Sequence, residues 1–493
     1  MLRAIVIVAS LWAVALYLFV ALHRIRYPYE LEWMEGGMVD HVARILHGQR
    51  IYVRPSLAFT PFVYPIVYYY VSAAAASVFG LGFLALRVVS FVSSLGTFAL
   101  LAVLVRRETR SWTAAIAAVG VLAGSFPLSG GWFDLGRVDS LFLLLLIASV
   151  GIARRFQNVA GACAAAFVLT IAFHTKQSAL IVAAALALAL ALTSLRRALL
   201  FSGCFVAGVT ASSLWLERLH GGWYGFYTIA VVRGHAIANE MHAIFWRDEV
   251  LRPCGFAVAL TLAFLLIPSA SLRGGARSFY AVVLAGLLTT AWLSRIHSGG
   301  WINVLIPAHV ALAMGAAFGL HALLDAGGGL LARRGAWIGA VLLLLQIGSL
   351  SYDPRAFIPT AADKAAGDDF LARLRQTPGD VLLTHHGYLS ALAGKPTFAH
   401  HMAVIDLMRS TADAVGAKEG LRAEFEAALR THRFSEIVID NGDSPFLDLI
   451  ERYYRDSGRW PYPSRDVFFP PSGAHIRPEV VFTPREIETD RER

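Results

Sequence analysis

Twelve apolar stretches crowd the first 351 residues, near 4–22, 62–80, 86–105, 113–128, 138–153, 158–173, 178–194, 198–216, 253–269, 278–294, 302–323 and 336–351. A helical run of about 20 such residues closes its own backbone hydrogen bonds and spans the ~30 Å hydrocarbon core of a bilayer. The chain is therefore expected to fold as an all-α polytopic membrane domain. With 57% hydrophobic and 16% charged residues over 493 positions, it falls outside the range of ordinary soluble enzymes. The first stretch, Ala4 to Leu22, is long enough to span and lacks a small-residue cleavage pattern, so it is taken as a retained span rather than a secretory signal.

Charge placement selects among the possible topologies. Were all twelve stretches spans, the acids of residues 30–40 and the basic loop Arg106-Arg-Glu-Thr-Arg110 would share the outer side, against the positive-inside rule. An interfacial or re-entrant helix over Phe62 to Gly80, which Pro65 and Tyr68-Tyr-Tyr70 suit, removes the conflict. About eleven spans then remain. Arg106/Arg107, Arg154/Arg155, Arg196/Arg197, Arg273/Arg277 and Arg333/Arg334 all fall on the cytoplasmic side of the inner membrane. The net charge of +9 is thus a topology signal and gives no reason to expect nucleic acid. Cys163, Cys204 and Cys254 lie in or beside apolar runs, as packing residues do.

From Asp353 the apolar periodicity stops. Val381-Leu-Leu-Thr384 and Ile437-Val-Ile-Asp440 have the pattern of short buried strands, and 361–376 and 412–431 that of amphipathic helices. The expected organisation is a membrane domain over 1–352 and a small soluble α/β domain over 353–493, outside the cytoplasm. Its tail, Arg485 to Arg493, has a disordered composition.

The loops on the outer side carry the chemistry. Tyr27-Pro-Tyr-Glu30-Leu-Glu32-Trp-Met-Glu35-Gly-Gly37 puts three carboxylates at a membrane surface, where a desolvated one can act as a general base. If the cluster is helical, Glu32 and Glu35 share a face; the plain alternatives are a solvated loop or acids that complement a helix dipole. Residues 38–47 form an apolar stripe opposite Asp40, His41, Arg44 and His47, expected to lie on the membrane and to end at Gly48. In the next outer loop Asp134, Arg137 and Asp139 stand at helix mouths, with an N-cap role as the alternative for Asp139. His174 and Lys176 occupy another mouth, where a fixed cation can hold a phosphate or merely snorkel. Arg295 and His297 precede Gly299-Gly300-Trp301 and could add phosphate contacts. The aromatics of 217–251 match an interfacial belt without any ligand. Gly327-Gly-Gly329 follows no strand and opens no suitable helix, so a nucleotide donor has no cradle and a lipid-linked donor fits better.

The stretch Glu35 to Tyr52 resembles the first-loop segment of the GT-C glycosyltransferases, in particular relatives of protein O-mannosyltransferase and lipid A aminoarabinose transferase. Those families carry an Asp-Glu pair, an Ala-Arg-Leu-Leu-like helix, then Gly and Tyr; here Ala43-Arg44 and Gly48 align, which sets Glu35 at the catalytic Asp and Gly36 at the Glu. Tyr64-Pro65, Phe79-Gly80, Ala85-Leu86-Arg87, Asp139 and Thr175-Lys176 also look like the family, and the resemblance covers roughly residues 1–320. It implies an inverting hexosyl- or pentosyltransferase working at the outer membrane face, with a polyprenyl-phosphate-linked sugar as donor and a glycan, lipid or protein as acceptor. Glu35 or Glu32 would be the base, Asp139 the second acid, and Arg137, Lys176, His174, Arg295 and His297 the phosphate-binding set. A divalent metal, Mg or Mn, held by Glu35 and Asp139 is an option the resemblance leaves open. A transporter or flippase of a lipid-linked glycan is the alternative from another class; the outer clustering of charge, with few charges at mid-depth, disfavours it. A noncatalytic protein that only binds a lipid-linked sugar is a third.

Overall fold

The computed structural model describes residues 1–267, 272, 274–325, 330–440 and 444–485; Arg273, Gly327-Gly-Gly329 and the tail from 486 onward fall outside these. Six helices are long and apolar enough to cross a membrane: Leu2–Arg24, Phe83–Thr109, Leu195–Leu219, Met241–Leu266, Ala276–Arg295 and Ile302–Leu324. Arg333–Ser349 joins them only together with the bent continuation Pro354–Gln376. Val67–Phe79, Trp112–Gly124, Val159–Phe173 and Ala179–Ala191 are apolar but shorter. A 13-residue helix is only about 20 Å long, so length alone does not yield the eleven spans expected.

The bundle is built around Ile302–Leu324. In this helix 94% of the apolar window is buried, against 17% in Leu195–Leu219, so the first is a core helix and the second a rim helix facing outward. Small residues permit the close crossing: a Cβ on Gly315 would meet Thr261, and one on Gly319 would overlap the Leu260 carbonyl.

Charge separates along the bundle axis as expected. Phe83–Thr109 runs from Arg87 to Arg106 and Arg107, and Asp139–Arg155 runs from Asp139 to Arg154 and Arg155, each ending on the cations that its C-terminal dipole favours. At that basic end Arg154 Nε donates to Glu108 Oε1 at 2.8 Å and Arg197 Nη2 to the Ala153 carbonyl at 2.7 Å. At the opposite end lie the pairs Arg24–Asp134, Lys176–Asp139 and Arg295–Glu249. Both ends of the helix Val67–Phe79 belong to this second end: the Val67 N–H donates to the His174 carbonyl at 2.8 Å, and the Leu81 carbonyl accepts from Tyr388 Oη at 3.5 Å. It enters and leaves on one side, as the interfacial reading requires.

The segment after Asp353 contains a four-stranded sheet in the order β1-β2-β4-β3, with β1 Asp380–Leu383, β2 Phe434–Ile439, β3 Tyr454–Arg459 and β4 Val480–Pro484. β1 and β2 are parallel, β2 and β4 antiparallel, β4 and β3 antiparallel. Alternation along β1 and β2 feeds two faces. Val381, Leu383 and Val438 pack with Phe370 of the helix Ala361–Gln376, while Leu382, Ile437 and Ile439 join a larger core with Phe425. Thr360 and Asp363 form a capping box that fixes the start of Ala361–Gln376 at the expected residue. The helix expected over 412–431 begins only at Ala417, because Val415 and Gly416 both take positive φ. β3 and β4 were not anticipated; the mostly exposed, polar Tyr-Arg-Asp-Ser-Gly-Arg of β3 lacks a strand's hydrophobic alternation.

Candidate active site

At the charged end, Glu30, Glu32 and Glu35 are each buried against a basic side chain from elsewhere in the chain. Glu35 opens the helix Glu35–Leu46 and lies against Arg87, with Nη2–Oε2 at 2.6 Å and Nε–Oε1 at 3.0 Å; it also accepts the Gly136 N–H at 2.6 Å and the Leu31 N–H at 2.8 Å. Burial raises the Glu35 carboxyl, but Arg87 and these N–H groups outweigh it and hold the group below its ordinary range. Arg87 also donates to the Tyr27 and Tyr29 carbonyls, both at 2.6 Å, so the pair clamps the incoming chain. Glu32 lies before the helix and accepts from Arg137 Nη1 at 2.9 and 3.0 Å, while Arg137 Nη2 donates to Tyr64 Oη at 2.7 Å. Burial disfavours the Arg137 cation, yet Glu32, Tyr64 and Asp139 keep it more firmly charged than usual. Its Nε has no partner among the described residues. Glu30 reaches across to His386 of the C-terminal segment.

Two corrections follow. Glu32 and Glu35 do not share a helical face, since the helix starts at Glu35. His41 does not face outward from the surface: its ring stacks between Phe62 at 4.9 Å and Tyr69 at 4.6 Å, so this helix is covered on the side expected to be polar. Gly36 and Gly37 are the reason. A Cβ on Gly36 would collide with Glu30, and one on Gly37 would come within 2.9 Å of His400 and closer still to Phe62; the missing side chains let the C-terminal segment settle onto the helix.

A cavity of about 870 Å³ opens beside these pairs, within the size range of sites for small molecules and cofactors. Arg137 and Lys176 supply cations to its wall, and Trp33, Trp132 and Trp301 line it as well. Leu180, Leu293 and Trp301 carry the lining out to the apolar surface, being 58%, 40% and 40% exposed. Lys176 Nζ is held by Asp139 Oδ1 at 2.7 Å; the same carboxylate accepts from Asn303 Nδ2 at 3.0 Å and Trp132 Nε1 at 3.1 Å.

Of the residues expected at the site, the structure brings Arg137, Lys176 and His297 to the cavity wall. Glu32 and Asp139 stand behind the first two as their counterions, and Glu35 stands behind Gly136, next to Arg137. In the first loop it is Trp33 and Met34 that meet the cavity. His174 lies elsewhere, between Tyr224 Oη at 2.7 Å and Ser212 Oγ at 2.6 Å. Arg295 pairs with Glu249 and donates to the Gly300 carbonyl at 2.5 Å, which shapes the loop carrying His297. The donor set does not fit a metal shared by Glu35 and Asp139: the oxygens of both already accept from guanidinium, ammonium, amide or indole N–H groups, and the described residues contain no cluster of three or more His, Cys, Asp or Glu able to hold one.

The sequence reading missed His385, Asp406, Arg409 and Asp440, all of which line the cavity from the C-terminal segment. A signal existed. His385 and Asp440 lie just past the carboxyl ends of adjacent parallel strands, where open α/β sheets place their ligands.

No known family model matches the chain, and no curated protein does. Solved structures do. ArnT from Cupriavidus metallidurans in the apo state superposes with a TM-score of 0.58 at 15% identity, over 96% of this chain and 97% of that one. The same enzyme bound to undecaprenyl phosphate gives 0.56 at 15% identity, with the same coverage. An Archaeoglobus fulgidus oligosaccharyltransferase tethered to an acceptor peptide is more distant, at 0.47 and 13%, over 92% of this chain and 74% of that one. The fold is thus that of ArnT: a helical membrane bundle with a small mixed sheet after it.

Proposed function

We propose that the protein is a membrane glycosyltransferase that takes its sugar from a polyprenyl-phosphate donor. The observation that carries this is the cavity: two fixed cations, Arg137 and Lys176, share one chamber with apolar side chains that continue to the membrane-facing surface. A phosphate with a long hydrocarbon tail matches both parts. ArnT, with the same fold, has been captured holding undecaprenyl phosphate. In an inverting displacement the acceptor oxygen attacks the anomeric carbon and the polyprenyl phosphate leaves, gaining negative charge as it goes. Arg137 and Lys176 stabilise that charge in the transition state, with Glu32 and Asp139 holding them in place. The acceptor, a hydroxyl-bearing glycan, lipid or protein, enters from the C-terminal side. Undecaprenyl phosphate titrated into purified protein in detergent should bind to wild type and bind more weakly to Lys176→Ala. Equal affinity in both would overturn the donor site; no binding to wild type would overturn the function.

The segregated arginines support a site on the extracytoplasmic side of the membrane. In a Cys-free background, cysteines at the exposed positions Gln49 and Asp369 should react with a membrane-impermeant thiol reagent in intact cells, and cysteines at Arg110 and Gln157 only after lysis. The reverse pattern would put the site inside.

A further inference from the structure

The cavity has a second set of polar walls that the phosphate end does not use. His385 follows β1 and Asp440 follows β2, and the parallel pairing of the strands brings them together. His385 Nδ1 hydrogen-bonds Asp440 Oδ2; both residues are more than nine-tenths buried and both line the cavity. Asp440 Oδ1 lies 3.2 Å from His386 Nε2, and His386 Nδ1 is bonded to Glu30 Oε2. Glu30, His386, Asp440 and His385 therefore form one chain of contacts from the first loop to the cavity wall. Burial disfavours the His386 cation, but Glu30 and Asp440 outweigh it and raise the group to about 10, while the two histidines hold Asp440 far below its ordinary range. Asp440 is thus a fixed anion behind His385. The other titratable neighbours of the ring are His400 and His401, edge-on at 5.7 and 5.9 Å. A histidine whose Nδ1 is tied to a carboxylate presents Nε2 to its ligand.

We propose that His385 Nε2 is the general base of the transfer, with Asp440 as its positioning residue; this rests on the transferase reading above. The acceptor O–H proton passes to Nε2 as the oxygen bonds to the anomeric carbon, and the C–O bond to phosphate breaks with its electron pair leaving on the polyprenyl phosphate. Glu32 and Glu35 do not compete for this role, because both oxygens of each are engaged and both residues lie off the cavity. Asp406, which lines the cavity but is paired with Arg409, is the rival.

The test follows release of undecaprenyl phosphate from a panel of undecaprenyl-phosphate-linked hexoses and pentoses, using the full-length enzyme in membranes, beside its affinity for undecaprenyl phosphate alone. His385→Ala should lower kcat by roughly 100-fold, leave the affinity within about 2-fold, and regain turnover with added imidazole. Asp440→Asn should lower kcat by far more than it changes the affinity, and Asp440→Glu should restore part of the loss. Near-normal turnover in His385→Ala, a parallel loss of affinity, or a large loss in Asp406→Asn with His385→Ala unaffected would each overturn the assignment. Absence of release by wild type that still binds undecaprenyl phosphate would instead sink the transferase reading, and the assignment with it.

Discussion

Replacing Lys176 with alanine is expected to lower transfer by roughly 100- to 1,000-fold, the range for removing one preorganised donor to charge that develops in a transition state. The ammonium is fixed by Asp139 at 2.7 Å and borders the cavity, so it needs little reorganisation when the leaving phosphate gains charge. The loss should fall mainly on kcat, since the phosphodiester of the bound donor carries less charge than the departing phosphate. Asp139 keeps Asn303 and Trp132 as donors, so the variant should fold. Thermal unfolding near the wild-type temperature together with undiminished turnover would return Lys176 to a structural counterion of Asp139.

Arg87→Ala should be the most damaging single change to stability, by about 3–5 kcal/mol, because it strands a buried carboxylate. Glu35 and Arg87 have no exposed side-chain surface, and Arg87 also secures the Tyr27 and Tyr29 carbonyls. The double variant Arg87→Met with Glu35→Gln removes both charges at similar volume and should recover much of the loss. Thermal denaturation in detergent measures both. A double variant no more stable than Arg87→Ala would show that the carbonyl contacts, rather than the charge pair, hold this region.

The fold and the site differ in how far the sequence reveals them. Apolar runs and arginine pairs act locally, through hydropathy and helix ends, so the division into two charged ends could be read directly. Val-Leu-Leu and Ile-Val-Ile marked their strands for the same reason. The partners of the acids could not be read. Glu35 meets Arg87 at a separation of 52 residues, Glu32 meets Arg137 at 105, and Glu30 meets His386 at 356. No periodicity encodes such pairings; they arise when packing removes water and each buried carboxylate must find a cation. The same blindness bears on Glu35: its place in the first loop could be read, but nothing local shows that both its oxygens are occupied. The orientation of Glu32 failed on one assumption, that the helix began three residues earlier than it does.

One wall of the cavity, with His385, Asp406 and Asp440, comes from residues that the ribosome makes after every apolar helix. The bundle is synthesised while this wall is still unmade, and the contact between Glu30 and His386 waits for the later part of the chain. A half-synthesised chain therefore lacks this wall. Order of synthesis then sets order of assembly: on the proposed function, transfer waits until this later segment has met the first loop.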